Sequence, residues 1–239
     1  EQISARAEAV SARATRSTSA TQTPVAAEFR EPDLVSIVMP ALNEEAAIGE
    51  TIANVPLEEF KKHGLRVEII VVDNGSTDNS MEVVKRYEQH PKITVIRHER
   101  NQPHTVILNH GIRVARGYYF SLLQSDDYYL PKKFERQIAA FENLSDEYGV
   151  VYSTGYRLMP DGELHLQPCG RHRGQVLKEI LTEPAFFLPI APLVRLRCLL
   201  EYPFDESIFM EGEGIYAKIA IRYLFHPLSE PLVVMREHE

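Results

Sequence analysis

Residues 67–78 read VEIIVVDNGSTD, and this segment indicates the fold more directly than any other. A short, mostly apolar run ends at Asp73, and Asn, Gly, Ser and Thr follow at once, which are residue types that favour turns and helix caps. The residues after them, up to His90, space their apolar side chains as a helix does. This pattern predicts a β-strand buried on both faces, then a turn, then a helix.

The same unit recurs along the chain. Further strands are predicted at 34–40, 92–99, 118–124 and 149–158, and further helices at 43–55, 104–117 and 131–144. Strands that alternate with helices through short connections are typical of a parallel sheet covered by helices. We therefore predict an α/β fold of the Rossmann type, with a mostly parallel sheet and helices on both faces.

The two ends of the chain differ from this middle part. Residues 1–33 are rich in Ala, Ser, Thr and Arg, so we predict a tail or linker that is helical in part. Residues 34–239 form the predicted domain, with a ligand-binding half at 34–156 and a second half at 157–239. In the second half we predict helices at 174–183 and 213–225 and a short final strand at 230–239. The first residue is Glu, which favours a larger parent chain or a processed one.

Composition excludes several classes of protein. The chain has 239 residues and a formal net charge of -8, which argues against a nucleic-acid partner. It has two cysteines, Cys169 and Cys198, without paired spacing, so we expect a reducing cytoplasm. No apolar run approaches the length of a membrane span. Peripheral association with the inner face of a membrane, and a homo-oligomer, remain open.

Three polar clusters follow three of the predicted strands. They are PALNEE at 40–45, DNGSTD at 73–78 and QSDD at 124–127. Ligands bind outside the carboxyl ends of the strands of an open parallel sheet, so these clusters should face one cleft. The adjacent pair Asp126 and Asp127 alone would be read as a helix cap, but together with Asp73 it predicts a metal site.

These segments resemble the family-2 nucleotide-sugar glycosyltransferases of the GT-A fold. The resemblance rests on VSIVMPALNEEAAIGETI, EIIVVDNGSTDNS, the segment from Arg100 to Phe134, and the segment from Phe204 to His238. It implies a metal-dependent, inverting transfer of a sugar from a nucleoside diphosphate to an acceptor hydroxyl. The implied donor is a UDP-sugar, the acceptor a glycan or lipid-linked glycan of the cell surface, and the cofactor Mg²⁺ or Mn²⁺. Residues 157–239 would form the acceptor side.

The resemblance also assigns roles to single residues. The nucleotide-sugar pocket would be formed by Pro40, Leu42, Glu44, Asp73, Asn74, Asn109 and Asp126. Asp73 would accept a hydrogen bond from the base, and Asp126 would lie near the ribose or sugar. Asp127 would bind the metal, with His238 beside it.

The catalytic base is where this sequence departs from the family. Relatives carry a Glu-Asp pair before the final helix, and here Glu211 aligns with the Glu and Gly212 with the Asp. Glu211 and Glu213 are the two candidates for the base, since a carboxylate usually removes the acceptor proton. The missing Asp leaves open a nucleotide-sugar-binding or scaffolding domain without turnover. A nucleotidyltransferase is a further alternative, although the first loop lacks the expected glycines and basic residues.

Other patterns receive ordinary structural interpretations. His165, Cys169 and His172 lack a fourth ligand and match no zinc spacing, so we predict a loop there. Basic residues of the predicted helices, Lys133 among them, are expected on solvated faces.

Overall fold

The structure is a computed structural model that describes residues 31–183, 186–212 and 214–238. Residues 1–30 of the predicted tail therefore lie outside the described residues, and so does the candidate base Glu213. The strands are β1 Glu31–Ala41, β2 Arg66–Asp73, β3 Ile93–Arg97, β4 Gly117–Leu122, β5 Tyr128–Tyr129, β6 Tyr148–Leu158, β7 Leu164–Gln167, β8 Leu193–Arg195 and β9 Leu224–Arg236. The helices are α1 Ile48–Ala53, α2 Leu57–Lys62, α3 Ser80–Lys85, α4 His104–Val114, α5 Lys133–Glu142, α6 Leu177–Thr182, α7 Leu196–Glu201 and α8 Gly214–Ala220.

One mixed sheet forms the centre of the described chain. Its strand order is β3-β2-β1-β4-β8-β6-β9-β5, with β7 paired to β6. The strands β3, β2, β1 and β4 are parallel, and β9 is parallel to β6. The central strands β1 and β2 are buried along most of their length, as their apolar sequences predict. The predicted α/β sheet with helices is thus the fold that the chain adopts; its pairing is parallel from β3 to β4, whereas β5, β7 and β8 pair antiparallel to their neighbours.

Register brings the ends of β1 and β2 to one edge of the sheet. Ala41 pairs with Asp73, so the loops after these two strands begin side by side. β1 starts at Glu31, three residues before the predicted domain boundary.

The C-terminal half differs from the prediction. The helix predicted over 213–225 ends at Ala220, and the strand predicted from 230 begins already at Leu224. The cause is tertiary, since β9 pairs with β6 from Tyr148 onward. Leu224 and Phe225, which have helical spacing in the sequence, therefore become part of the strand. The short strand β8, which lies antiparallel between β4 and β6, was not predicted. Three residues are too few to show a period.

Among the described residues, no helix is long and apolar enough to cross a membrane.

Candidate active site

Hydrogen bonds lock the loop after β1 to the turn after β2. This turn, residues 73–79, is called the Asp73 turn below. The Asn43 side-chain oxygen accepts the Thr77 N–H at 2.8 Å, and the Asn43 N–H donates to Ser76 Oγ at 3.0 Å. The Glu44 N–H donates to Ser80 Oγ at 2.7 Å. Asn43 has a φ of 57°, a left-handed conformation that Asn adopts more readily than most residues. The first loop therefore has a fixed shape at the edge of the sheet.

The three pocket residues predicted in this loop have different surroundings. Pro40 is buried within β1, whereas the side chain of Leu42 is exposed. The Glu44 carboxylate lies near the acidic pair. Burial, and then the nearby charge of Asp126, raises the pKa of Glu44, while a hydrogen bond with Ser125 opposes that shift. Glu44 thus faces the cluster that the sequence predicted on another strand.

Asp73, the last residue of β2, has one carboxylate oxygen that accepts a hydrogen bond and one that does not. It is 1% exposed, and its Oδ1 accepts the Ser76 N–H at 3.1 Å. Its Oδ2 has no hydrogen-bond partner among the described residues, although Arg97 Nε lies 3.4 Å away. A buried carboxylate oxygen without a donor is costly, so such an atom points to a missing ligand.

Asn74 connects the Asp73 turn to the segment before α4. Its Nδ2 donates to Asn101 Oδ1 at 2.8 Å and to the Gln102 carbonyl at 3.0 Å. Its Oδ1 accepts the Gln102 N–H at 2.8 Å. Gly75 lets this segment come close, since a Cβ there would lie 2.8 Å from the Arg100 carbonyl carbon. The Asn74 amide is fully bonded within the protein, and its contact with a nucleotide stays a prediction.

Asp127 presents a second unsatisfied carboxylate oxygen. The residue is 2% exposed, and its Oδ1 accepts the Arg236 N–H at 2.7 Å. Its Oδ2 is buried without a partner among the described residues. Burial raises the pKa of Asp127 to about 7, and the neighbouring Asp126 adds to the shift. The ionised form of the Asp127 carboxylate is therefore unfavourable at this point, and a bound cation would stabilise it.

Asp126 and His238 meet because β5 and β9 pair. Tyr128 lies opposite Val234, which carries the C-terminal residues past the acidic pair. His238 Nε2 lies 2.5 Å from Asp126 Oδ2. The structure therefore brings together the acidic pair and the histidine that the resemblance grouped, although 112 positions separate them.

A cleft of about 260 Å³ opens beside these groups. It is lined by Ala47, Glu50, Thr51, Asn54, Asp126, Asp127, Tyr128, Leu158 and Arg236. Arg236 was not predicted as a site residue. Its guanidinium is a donor placed among carboxylates, where a phosphate group would find a partner. The signal available in the sequence was its position two residues before His238, in the strand that returns to the acidic pair.

No group of three or more His, Cys, Asp or Glu side chains in the described parts of the chain is arranged to hold a metal ion unaided. Mg²⁺ commonly takes one or two protein carboxylates and completes its shell with water and substrate phosphates. The acidic pair is a donor set of that kind.

Glu211 is engaged in the protein. Its Oε1 lies 2.8 Å from Lys218 Nζ, and its Oε2 accepts the Asp205 N–H at 2.7 Å. Gly212 has a φ of 58°, and nothing lies within 4 Å of the position of a Cβ there. Lys218 and the Asp205 N–H contact both carboxylate oxygens of Glu211, so its geometry suits anchoring better than base catalysis.

Two further residues differ from their predicted surroundings. Asn109, predicted beside the nucleotide, is 4% exposed and bonds to residues 204–206. Its nucleotide contact stays a prediction. The prediction that Lys133 lies on a solvated helix face is wrong, because the residue is 0% exposed. Its ammonium donates to Gln137 and to the Ala191 carbonyl, and burial lowers the pKa of Lys133 to about 7.

A family model described as Glycosyl transferase family 2 matches residues 36–184. An uncharacterized glycosyltransferase of Methanocaldococcus jannaschii, MJ1057, is 28% identical over 209 residues, which are 85% of this chain and 70% of the relative. The uncharacterized glycosyltransferase RP339 of Rickettsia prowazekii is 32% identical over 77% of this chain and 53% of its own length. A putative teichuronic acid biosynthesis glycosyltransferase of Bacillus subtilis, TuaG, is 32% identical over 53% of this chain and 48% of its own. The chain thus spans about half of the last two.

Solved structures share the fold at lower identity. S. aureus TarS 1-349 in complex with UDP-GlcNAc superposes with a TM-score of 0.67 at 20% identity, over 86% of this chain and 59% of that one. The mannosyltransferase PcManGT from Pyrobaculum calidifontis, in complex with GDP-Man and Mn²⁺, gives a TM-score of 0.61 at 19% identity, over 94% of this chain and 62% of that one. These likenesses confirm the predicted GT-A fold.

Proposed function

This chain belongs to glycosyl transferase family 2, and from that membership we propose that it transfers a sugar from a nucleoside diphosphate to an acceptor hydroxyl with inversion, assisted by a divalent cation. One observation carries the proposal: Asp73 Oδ2 and Asp127 Oδ2 are both buried without a hydrogen-bond partner at the site. The first suits an N–H of a base, and the second suits a cation.

The donor is proposed to bind along the edge of the sheet. The base would donate its N–H to Asp73, with Pro40 and Leu42 beside it. A uracil has such an N–H, and the TarS structure was solved with UDP-GlcNAc, so we propose a UDP-sugar. The diphosphate would then reach the cleft, where Arg236 offers donors and Asp126 lies near the ribose or sugar.

Asp127 is the residue proposed to hold Mg²⁺ or Mn²⁺, with His238 beside it. The fit rests on the unsatisfied Oδ2 of Asp127, a hard oxygen of the kind these cations prefer. When bound, the cation neutralises charge on the diphosphate leaving group. Its use is supported by the Mn²⁺ in the PcManGT complex. His238 is hydrogen-bonded to Asp126, so it would have to turn from that carboxylate to reach a metal.

Glu211 and Glu213 remain the proposed bases, and the surroundings of Glu211 favour Glu213. The ammonium of Lys218 and the N–H of Asp205 occupy both oxygens of Glu211. We expect Glu213→Gln to lower the turnover number of transfer strongly. Glu211→Gln should act mainly on stability, since it breaks the ion pair with Lys218. If both variants turned over like the wild type, the base assignment would be wrong.

The acceptor is proposed to be a glycan or lipid-linked glycan of the cell surface. The putative role of TuaG in teichuronic acid biosynthesis supports this class. We also propose that the reaction takes place in the cytoplasm, at the inner face of the membrane. Both Cys169 and Cys198 are free thiols, as befits a reducing compartment.

A panel of UDP-, GDP-, dTDP- and CDP-sugars, each with and without Mn²⁺, tests the donor site by thermal shift. A ligand at 100 times its Kd stabilises the folded state by about 2.7 kcal/mol, which is readily seen as a higher Tm. We expect the largest rise in Tm for a UDP-sugar with Mn²⁺. In Asp127→Asn, we expect Mn²⁺ to add nothing to the rise in Tm that the UDP-sugar causes. A shift that ignores both Mn²⁺ and Asp127 would exclude the proposed site.

Gly212 favours one second candidate, a nucleotide-sugar-binding domain without turnover. The residue stands where the family has its base, and it has no side chain. Calorimetric binding of UDP-sugar without hydrolysis or transfer would establish this candidate. Release of UDP that depends on an added acceptor would exclude it.

A further inference from the structure

Helix α4 carries a row of polar side chains toward one loop. Thr105, Asn109 and Arg113 are spaced four positions apart and therefore lie on one face of the helix. All three bond to residues 203–212, the segment that leads into the candidate bases and is called the acceptor loop below. We propose that α4 fixes the acceptor loop relative to the Asp73 turn, and that Asn109 is the positioning residue that does so. This inference rests on the proposed function.

Asn109 is the centre of the row. Its Nδ2 donates to the Phe204 carbonyl and to Glu206 Oε1, both at 2.9 Å. Its Oδ1 accepts the Phe204 N–H at 3.0 Å. The amide thus pairs with both backbone groups of Phe204, as a neighbouring strand would. With every amide group bonded, the side chain is fully committed to the acceptor loop.

Three further contacts extend this attachment. Thr105 Oγ1 donates to the Ile208 carbonyl at 2.7 Å, and Arg113 reaches Glu206 at 3.1 Å. The His104 N–H, at the start of α4, donates to the Phe209 carbonyl at 2.9 Å.

Apolar burial does not hold the tip of the acceptor loop. Ile208, Phe209 and Met210 are 44%, 63% and 61% exposed. Their backbone lies outside helices and strands, so the carbonyls of Ile208 and Phe209 depend on α4 for their partners. The hydrogen bonds to the helix, and not packing, therefore set where this tip lies.

The far end of the acceptor loop is fixed by a second attachment. Glu211 binds both Lys218 and the Asp205 N–H, and Lys218 also donates to the Pro203 carbonyl at 2.6 Å. Residues 212 and 213 follow directly. A displacement of the loop at Phe204 would therefore be passed to the candidate base.

The start of α4 is tied to the donor side. Gln102, two residues before His104, exchanges hydrogen bonds with Asn74 next to Asp73. One helix thus links the residue proposed to bind the base with the loop proposed to present the acceptor. Loss of the Asn109 amide should impair transfer by releasing the acceptor loop from α4, while the hydrogen bonds between Asn74 and Gln102 remain.

The test compares the full chain with Asn109→Leu, using UDP and Mn²⁺ as the binding probe. In Thr105→Val, which changes a residue outside the predicted nucleotide pocket, the Kd of UDP should stay within about twofold of the wild type. In Asn109→Leu, two effects on the acceptor loop and on transfer are expected. Hydrogen exchange of residues 203–212 should become at least tenfold faster, with exchange in β1 and β2 unchanged. The rate of transfer should fall at least tenfold relative to the rate of donor hydrolysis. Val114→Ala, an exposed position on the same helix, is the matched control and should match the wild type.

Thr105→Val and Thr105→Ser keep the test decisive if Asn109→Leu folds poorly. The valine removes only the bond to Ile208, and the serine keeps the hydroxyl. We expect faster exchange of the acceptor loop in the valine variant and recovery in the serine variant. Unchanged loop exchange in both Asn109→Leu and Thr105→Val would overturn the inference whether or not the wild type transfers sugar. Absence of turnover in a wild type that binds UDP would instead count against the proposed function.

Discussion

The substitution Asn74→Asp is a sharp test of how the site is built. Asn and Asp have nearly the same shape, so an Asp would fit the space that the Asn74 side chain occupies. In this chain, however, the Asn74 Nδ2 donates two hydrogen bonds, to Asn101 Oδ1 and to the Gln102 carbonyl. A carboxylate keeps the bond from the Gln102 N–H but places an oxygen against both acceptors.

The cost follows from which contacts can adapt. The Asn101 amide can turn over, so that its NH₂ group donates to the new carboxylate. The backbone carbonyl of Gln102 cannot turn, and it loses its donor at a site where the Asn74 side chain is 7% exposed. One buried acceptor left unsatisfied costs about 1–3 kcal/mol, so we expect Asn74→Asp to lower the free energy of unfolding by about 2 kcal/mol.

Urea denaturation at pH 7 measures this difference, with the m-value checked for constancy. Asn79→Asp makes the same chemical change at an exposed position of the same segment and should stay within about 0.5 kcal/mol of the wild type. The neighbouring oxygens should raise the pKa of the introduced carboxyl group in the folded state. The deficit should therefore shrink as pH falls, since a protonated acid donates again. Equal stability of the two variants would refute this account of the Asn74 contacts.

Further substitutions test other parts of the structure. Asp127→Ala should abolish the effect of Mn²⁺ on UDP binding, measured by calorimetry, and should leave the far-ultraviolet circular dichroism unchanged. Lys133→Met should remove a pH dependence of the free energy of unfolding. The pKa of Lys133 is about 7 in the folded state, below its unfolded value, so the wild type should gain up to about 1.4 kcal/mol of stability per pH unit above pH 7 relative to the variant. Denaturation from pH 6 to pH 10 measures this difference. Gly111→Ala should destabilise by about 1–3 kcal/mol, because the new Cβ would lie 2.5 Å from Val38 Cγ1; a rise in Tm would contradict this. Gly212→Asp should leave the rate of transfer unchanged if Glu213 is the base, although the position has room for a side chain; a large increase would show that the wild type lacks a base.

Local patterns in the sequence were sufficient for most strands and helices of residues 34–156. The alternation of apolar strands with helical segments predicted β1 to β4, and the polar residues after those strands predicted the site. Asp73 and Asp127 are at the ends of their segments, so their position at one sheet edge follows from parallel pairing. The structure adds the register of β1 and β2, in which Ala41 pairs with Asp73.

Contacts between distant segments decided the rest. Whether residues 221–225 continue a helix or begin β9 depends on β6, which offers its edge from Tyr148 onward. The partners of Asn109, at positions 204 and 206, are set by how α4 packs, and no local pattern announces them. Lys133 likewise follows helical spacing typical of a surface residue and yet is buried, because the Ala191 carbonyl and Gln137 receive its ammonium.

Apolar runs, helical spacing and motifs in the sequence were enough to predict the α/β sheet, the acidic residues after its strands and the resemblance to the family, because all of these are local properties of the chain. The three-dimensional contacts were needed to see that Asp73 Oδ2 and Asp127 Oδ2 lack a hydrogen-bond partner among the described residues, and that Glu211 is already ion-paired. Satisfaction of a buried polar atom depends on every segment packed around it, and that information is absent from any single stretch of residues.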